Sequence, residues 1–221
     1  MREIHLKEYS NSGNPDVLKL ITSAGEVLDI GCGTGDIANH LKKTGCDVDG
    51  ITISESELKQ ARQFLREGYL FNVEKGLPEE VKSKKYDYII CSHVLEHICY
   101  PDNLLNDIKQ CLKKDGKLII ALPNLLHYSS RLKLFRGDFN YEDTGIWDNT
   151  HFKWYTYETG KKLIEKNGLI VTEQFVTGLL PWNSLFSKFI SEKTALKIYD
   201  RIKQLSPGLL GYQLIYVAKK I

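Results

Sequence analysis

Three glycines at alternate positions, Gly31, Gly33 and Gly35, follow directly on the apolar run Val27-Leu28-Asp29-Ile30, with Cys32 and Thr34 between them and Asp36 next. A strand that ends in such a turn lets a ligand reach the backbone where no Cβ stands in the way. A dinucleotide fingerprint spaces its last glycine one residue further on and packs it under a pyrophosphate. Here the third glycine comes early and an acid follows it. Asp36 would face phosphate oxygens at a helix start, a place that otherwise welcomes anions. The turn therefore reads as a nucleoside-binding bend rather than a pyrophosphate cradle. For this segment alone, a chance G-x-G-x-G in an unrelated α/β protein is the rival reading.

Two further groups carry chemistry-bearing side chains. One is Ser92-His93-Val94-Leu95-Glu96-His97, which ends the apolar run Tyr86–Cys91; the other is Gly145-Ile146-Trp147-Asp148-Asn149-Thr150-His151. Imidazole is the side chain that takes a proton near neutral pH. His97 and His151 are thus the candidates for acid–base work, with His93 a weaker one. Each has a plainer alternative: a backbone hydrogen bond near the glycine turn for His97, a bond that orders a surface segment for His151. Asp148 could orient the His151 ring.

The elements that must hold these residues alternate between short apolar runs and helical patterns, which predicts a largely parallel sheet with helices on both faces. Strands are expected at 26–30, 47–53, 69–72, 86–91, 117–122, 169–176 and 212–219, and helices at 15–22, 36–44, 56–67, 102–113, 157–167 and within 183–205. Lys113–Gly116 and Lys166–Gly168 look like basic last turns closed by a C-cap glycine. Lys82–Lys85 reads as a solvated loop. Residues 123–155, rich in aromatics, His and Asp, break the alternation, as does the amphipathic stretch 177–211. A long insert beside the carboxyl ends of the strands is the natural roof of a binding crevice, so 123–155 is expected to be a substrate cap. Thr156 is placed to cap the helix behind it.

Val27–Gly35 resembles the first motif of class I S-adenosylmethionine-dependent methyltransferases, and Tyr86–Ile98 is similar to that family's fourth-strand pattern, in the same order and over roughly residues 25 to 175. Asn124, Arg131, Gly137, Asp143, Gly145, Asp148 and His151 further resemble a subgroup associated with cell-surface glycan or small-metabolite methylation and with methionine-biosynthesis methyltransferase-like proteins. The resemblance implies an α/β, Rossmann-like fold with a mostly parallel seven-stranded sheet, one domain over 1–221, and S-adenosylmethionine as cofactor. Gly31, Cys32, Gly33 and Gly35 would line the slot for its methionine part, and Ser92 would meet the same end. Asp29 would either accept from the cofactor's ammonium or order the turn. Family members carry an acid after strand two; here Thr52 stands there, as in the cyclopropane-fatty-acid-synthase branch, and Glu57, one helical turn on, either accepts from the ribose hydroxyls or faces solvent. Asn72 takes the adenine-binding position where Asp is common, with Ile53 and Val73 on the two faces of the ring. Tyr9 would fold over the cofactor as a lid.

The reaction implied is in-line methyl transfer from a sulfonium, in which alignment of the acceptor contributes much of the rate; an alcohol acceptor would also give up a proton, to His151 or His97. The expected product is an O-methylated small molecule or glycan. Carbon methylation of a lipid and S-adenosylmethionine binding without turnover are the alternatives. Arg131 or Arg136 would bind an acidic group on the acceptor or pair at the surface.

Composition limits the partners. In 221 residues, 42% hydrophobic and 26% charged with net charge +2, there is room for a sizeable core and no basic footprint of nucleic-acid size. Five cysteines without a C-x-x-C pair are expected to be reduced core thiols of a cytoplasmic protein, and no metal site is expected. Residues 182–205 set Trp182, Phe186, Phe189, Ile190, Leu196, Tyr199, Ile202 and Leu205 against Lys188, Lys193, Lys197, Arg201 and Lys203. That stripe suits the chain's own core, a second copy in a homodimer, or peripheral contact with an anionic membrane.

Overall fold

The computed structural model describes residues 13–178 and 192–221. Seven strands form one sheet: β1 (Glu26–Ile30), β2 (Asp47–Thr52), β3 (Glu67–Leu70), β4 (Tyr86–Ser92), β5 (Leu112–Pro123), β6 (Leu169–Thr177) and β7 (Gln213–Lys220), in the order β3-β2-β1-β4-β5-β7-β6. The pairs on either side of β1 are parallel, as is β4 with β5, and β7 alone enters antiparallel, between β5 and β6. Every parallel step uses a helical crossover, as parallel strands require. The helices are α1 (Pro15–Leu18), α2 (Asp36–Lys42), α3 (Glu55–Ala61), α4 (Glu79–Lys82), α5 (Pro101–Cys111), α6 (Tyr128–Phe135), α7 (Tyr157–Lys166), α8 (Glu192–Leu205) and α9 (Pro207–Leu210).

Residue parity divides the core. Val27, Val48, Ile90, Ile119 and Ile215 pack under α1 and α2, through Val17, Ile37 and Leu41. Their neighbours Leu28, Ile30, Ile89, Cys91, Ile120 and Leu214 pack under α5 and α7, through Leu104, Leu105, Ile108 and Ile164. Central strands covered on both faces therefore read as unbroken apolar runs. After β1 the chain leaves toward β2, and after β4 toward β5. The carboxyl ends of β1 and β4 thus border the crevice where the connections diverge.

Several expected boundaries move. The run expected to be helical to residue 67 stops at Ala61, because the Arg66 amide donates to the Val48 carbonyl (2.7 Å) and starts β3 early, at Glu67 rather than 69. The first helix stops at Leu18. The expected C-cap at Gly116 is corrected too. Helix α5 ends at Cys111, and Gly116 lies in β5, where a Cβ would meet the Tyr86 carbonyl oxygen at 2.9 Å. Gly168 does close α7, with φ +73°. The capping box between Thr156 and Thr159 starts that helix.

The supposedly solvated Lys82–Lys85 segment holds a structural cation. Asp49, wholly buried on β2, accepts from Arg66 Nε and Nη2 (both 2.8 Å), Lys84 Nζ (3.0 Å) and the Tyr86 hydroxyl (2.9 Å). Burial pushes the Asp49 carboxyl up, and these donors bring it below the ordinary carboxylate range. The Asp49→Ala protein is expected to unfold about 2–3 kcal/mol more easily at pH 7, since its charged donors lose their acceptor. Because the folded-state value is depressed, wild-type protein should hold this contribution above about pH 4 and lose it as pH falls further. Urea titrations of both proteins at pH 7 and pH 3.5 check it: the gap between them should narrow at the lower pH.

Candidate active site

All three turn glycines adopt left-handed backbone, at φ 74°, 51° and 88° for Gly31, Gly33 and Gly35. Two also lack room for a side chain: a Cβ on Gly31 would come within 2.5 Å of Val94 Cγ2, and one on Gly35 within 2.9 Å of the Ala61 backbone. The Gly31 and Cys32 amides both donate to the Ile51 carbonyl, fixing the bend to β2. Cys32 is buried, and burial pushes its thiol pKa up, so the thiol stays protonated. Asp29 is buried beneath the turn. Its Oδ2 has no hydrogen-bond partner among the described residues, and burial pushes the carboxyl up to about 7. A buried carboxylate oxygen left unmatched is costly, and a donor from a ligand would satisfy it.

At the end of β2 the Thr52 hydroxyl donates to Glu57 Oε2 (2.6 Å). Glu57 is buried and its own amide donates to the α3 N-cap, Ser54 Oγ (3.3 Å), so the solvent-facing alternative is removed. Ile53 is half-buried beside it. Asn72 lies two residues beyond β3, exposed, with Oδ1 accepting from the Glu74 amide (3.0 Å); a second lone pair remains for another donor. Val73, half-buried, opens the short 3₁₀ turn Val73–Lys75.

At the end of β4, Ser92 is buried and accepts from Asn14 Nδ2 (2.8 Å), which also donates to Gln213 Oε1 (3.0 Å). Asn14 and Gln213 escaped the sequence reading: their partners stand 78 and 199 residues away, and neither belongs to a motif. His93 takes left-handed backbone (φ 57°) and sets its ring between Glu96 Oε1 (3.2 Å) and Gln213 Oε1 (2.7 Å). Glu96 is wholly buried; its Oε2 has no hydrogen-bond partner among the described residues. Burial pushes this carboxyl up, and the His93 bond carries it the other way, to a net value below the usual range.

The segment 123–155 packs against this corner. It holds α6 and two isolated bridges, Asn124–Tyr155 and Glu142–Asp148, so the segment expected as a long loop is partly ordered by secondary structure. Asn124 serves the frame: its amide nitrogen bonds the Gly211 carbonyl (2.7 Å). The Phe152 and Lys153 amides donate to the Glu96 carbonyl (2.9 and 3.1 Å), tying the cap to the turn after β4. His151 is buried, with Nδ1 at 3.2 Å from the Ile146 carbonyl oxygen. His97 turns its Nδ1 to Thr150, at 3.3 Å from the carbonyl oxygen and 3.1 Å from Oγ1. The two rings meet edge to face, centroids 4.7 Å apart. Asp148 Oδ1 takes the Thr150 amide and hydroxyl, so the Ile146 carbonyl orients the His151 ring. Burial pulls His151 below the usual imidazole range, which keeps it neutral near pH 7.

Other sequence candidates resolve differently. Arg131 Nε donates to the Leu126 carbonyl (2.7 Å). Lys203, expected on the charged face of its helix, is buried and bonds the Gly178 carbonyl (2.8 Å), while Ile198, Ile202 and Leu205 stand exposed. Tyr9, Trp182, Phe186, Phe189 and Ile190 lie outside the described residues. All five cysteines are free thiols, four of them buried.

A family model described as a methyltransferase domain matches residues 7–174. The chain belongs to that family. Among solved structures, a SAM-dependent methyltransferase from Archaeoglobus fulgidus superposes with a TM-score of 0.66 at 24% identity, over 93% of this chain and 90% of that one. A magnesium protoporphyrin IX methyltransferase from Synechocystis PCC 6803, solved with bound SAH, gives 0.61 at 18% identity, over 93% and 81%. Two curated relatives, both named ubiquinone biosynthesis O-methyltransferase, come from Glaesserella parasuis serovar 5 and Rickettsia canadensis. They are 35% and 36% identical over 107 and 122 residues, covering 45% and 54% of this chain. The chain spans about half the length of these relatives.

This methyltransferase domain uses S-adenosylmethionine, and the site fits it. The bend after β1 runs through three left-handed glycines, two of which have no room for a Cβ, the unmatched Asp29 oxygen suits the cofactor's ammonium, and the buried Glu57 carboxylate would accept from ribose hydroxyls. Among the described residues, no helix is long and apolar enough to cross a membrane.

Proposed function

We propose that this methyltransferase methylates a hydroxyl oxygen on a small, partly apolar acceptor. The observation that carries the reading is the Glu96–His97–His151 cluster beneath the cap, on the turn whose Val94 packs against Gly31. When bound, the cofactor supplies an electrophilic methyl carbon. Asp29 and the bend would fix its methionine end, and Glu57 with Thr52, Ile53, Asn72 and Val73 its nucleoside end. Ser92, held by Asn14, would meet it from the β4 side. An alcohol is a poor nucleophile until its proton leaves, and the Glu96–His97–His151 cluster is placed to assist that loss. Phe139, Trp147 and Trp154 of the cap form an aromatic cluster near these residues in sequence, which would favour an apolar acceptor. The names of the two half-length relatives support a small hydroxylated acceptor over a glycan.

The exposed Ile198, Ile202 and Leu205 of α8, interleaved with exposed Lys197 and Arg201, favour a peripheral membrane contact that would deliver a lipid-borne acceptor. A second copy of the chain is the alternative partner. One experiment addresses both points. Turnover with labelled S-adenosylmethionine is followed on phenolic, sugar and lipid pools, with and without anionic vesicles, together with co-sedimentation. Label on a phenolic oxygen is expected, with vesicle binding weakened in an Ile202→Asp, Leu205→Asp protein. Label on a lipid carbon would favour the cyclopropane-synthase-like alternative. Tight cofactor binding with no labelled product in any pool would leave a binding protein without turnover.

A further inference from the structure

Glu96, His97 and His151 each bring one ligating atom to a common point, all within 4.8 Å of one another, although they come from two distant parts of the chain. Two independent features mark the point as more than a polar cluster. The first is the second oxygen of the Glu96 carboxylate, wholly buried and without a hydrogen-bond partner among the described residues. The second is the state of the rings. His151 Nδ1 faces the Ile146 carbonyl and His97 Nδ1 faces the Thr150 carbonyl; a carbonyl only accepts, so Nδ1 is the donor in each ring and Nε2 is the nitrogen a cation would use. A carbonyl behind each imidazole is the outer-shell arrangement that prepares histidine to ligate a metal.

We propose that Glu96, His97 and His151 bind a divalent first-row transition cation, which takes the acceptor hydroxyl in an open coordination position and acidifies it. Two imidazoles and one carboxylate suit Zn²⁺, Co²⁺, Mn²⁺ or Fe²⁺ and leave positions open for an oxygen ligand. Ligand bonds of about 2.0–2.2 Å set ligand atoms roughly 3.0–3.5 Å apart, so atoms at the 4.8 Å limit found here would close by about 1.5 Å through side-chain rotation. The existence of the site stands on these three residues; its use rests on the hydroxyl-methylation reading. In that use the acceptor proton passes to water. As the oxygen–carbon bond forms, the carbon–sulfur bond breaks and its electron pair stays on sulfur, which ends as a neutral thioether. His151 then acts as a ligand and does not itself keep the proton.

The test titrates EDTA-treated, dialysed full-length protein with Co²⁺ and Zn²⁺, read by calorimetry and by the visible Co²⁺ spectrum. One equivalent is expected to bind through nitrogen and oxygen, without the near-ultraviolet band that a thiolate from the five cysteines would add. Glu96→Gln and His151→Gln should each weaken it at least ten-fold, the loss that even an outer-shell partner brings. Cys99→Ser should leave it unchanged. S-adenosylmethionine binding and thermal melting establish that each variant is folded; if the buried Glu96 position does not tolerate the change, His151→Gln, from the cap, gives the same readout. Absence of binding, or binding undiminished in the variants, overturns the site. Full turnover in EDTA with no cation bound also overturns it and leaves the methylation reading intact. Cation binding without turnover of any hydroxyl acceptor does the reverse.

Discussion

The His151→Ala protein is expected to lose a factor of about 10²–10⁴ in kcat, the range spanned by positioned proton-transfer groups, while its affinity for S-adenosylmethionine stays within about two-fold of wild type. The separation follows from where His151 sits. Its ring packs on His97 and is held by the Ile146 carbonyl, in the cap, whereas the groups proposed to hold the cofactor lie at or just beyond the ends of β1, β2, β3 and β4 and on α3. Loss of kcat without loss of binding would locate His151 at the acceptor. A variant with near-normal kcat would sink the role assigned to this cluster; a variant that bound cofactor poorly would show that the cap shapes the cofactor slot. Thermal melts matter as a control, because the ring also fills buried space.

The second large effect is on cofactor affinity. Asp29→Asn is expected to weaken S-adenosylmethionine binding by roughly 10- to 150-fold, the 1.5–3 kcal/mol of a hydrogen bond to a charged group. A pH signature goes with it. Burial raises Asp29 from 3.8 to about 7 in the fold. The ionised form, which would accept from the ammonium, therefore prevails above about pH 7 and gives way to the neutral acid below it. Wild-type affinity should fall by close to ten-fold per pH unit once the pH is well below 7, and the Asn variant should stay nearly flat there. For stability the sign is opposite to that of Asp49. A raised folded-state value means that the free protein loses stability as pH climbs from about 4 to about 7, and ligand restores it. Calorimetric titrations at pH 6.0, 7.0 and 8.0 check all of this. Equal slopes in the two proteins would remove Asp29 from the cofactor contact.

How much of this was legible in the residues alone depends on the range of the interaction. The β1 bend was readable because its requirements are local: three alternate glycines, an apolar strand before them and a helix after. The fourth-strand segment was legible for the same reason. The placement of Glu57 was half legible; the Thr52 pattern named the residue, and its burial beside Thr52 removed the solvent-facing alternative. Glu96 was passed over. Within its segment it looks like any acid near a helix start, and its partners arrive from a cap that joins the chain much later. Lys84 shows the same failure in reverse. A run of lysines reads as solvated until β2 supplies Asp49 beneath it. Sequence spacing conveys backbone needs well and charge matching across elements poorly.

The Glu96 residue has its carbonyl in two cap amides and its carboxylate in the polar cluster. Floor and roof therefore share one anchor. A change anywhere in the cap is therefore felt at the centre, because Ser130 and Glu142 are bonded in turn to Trp147 and Asn149 of the segment that carries His151.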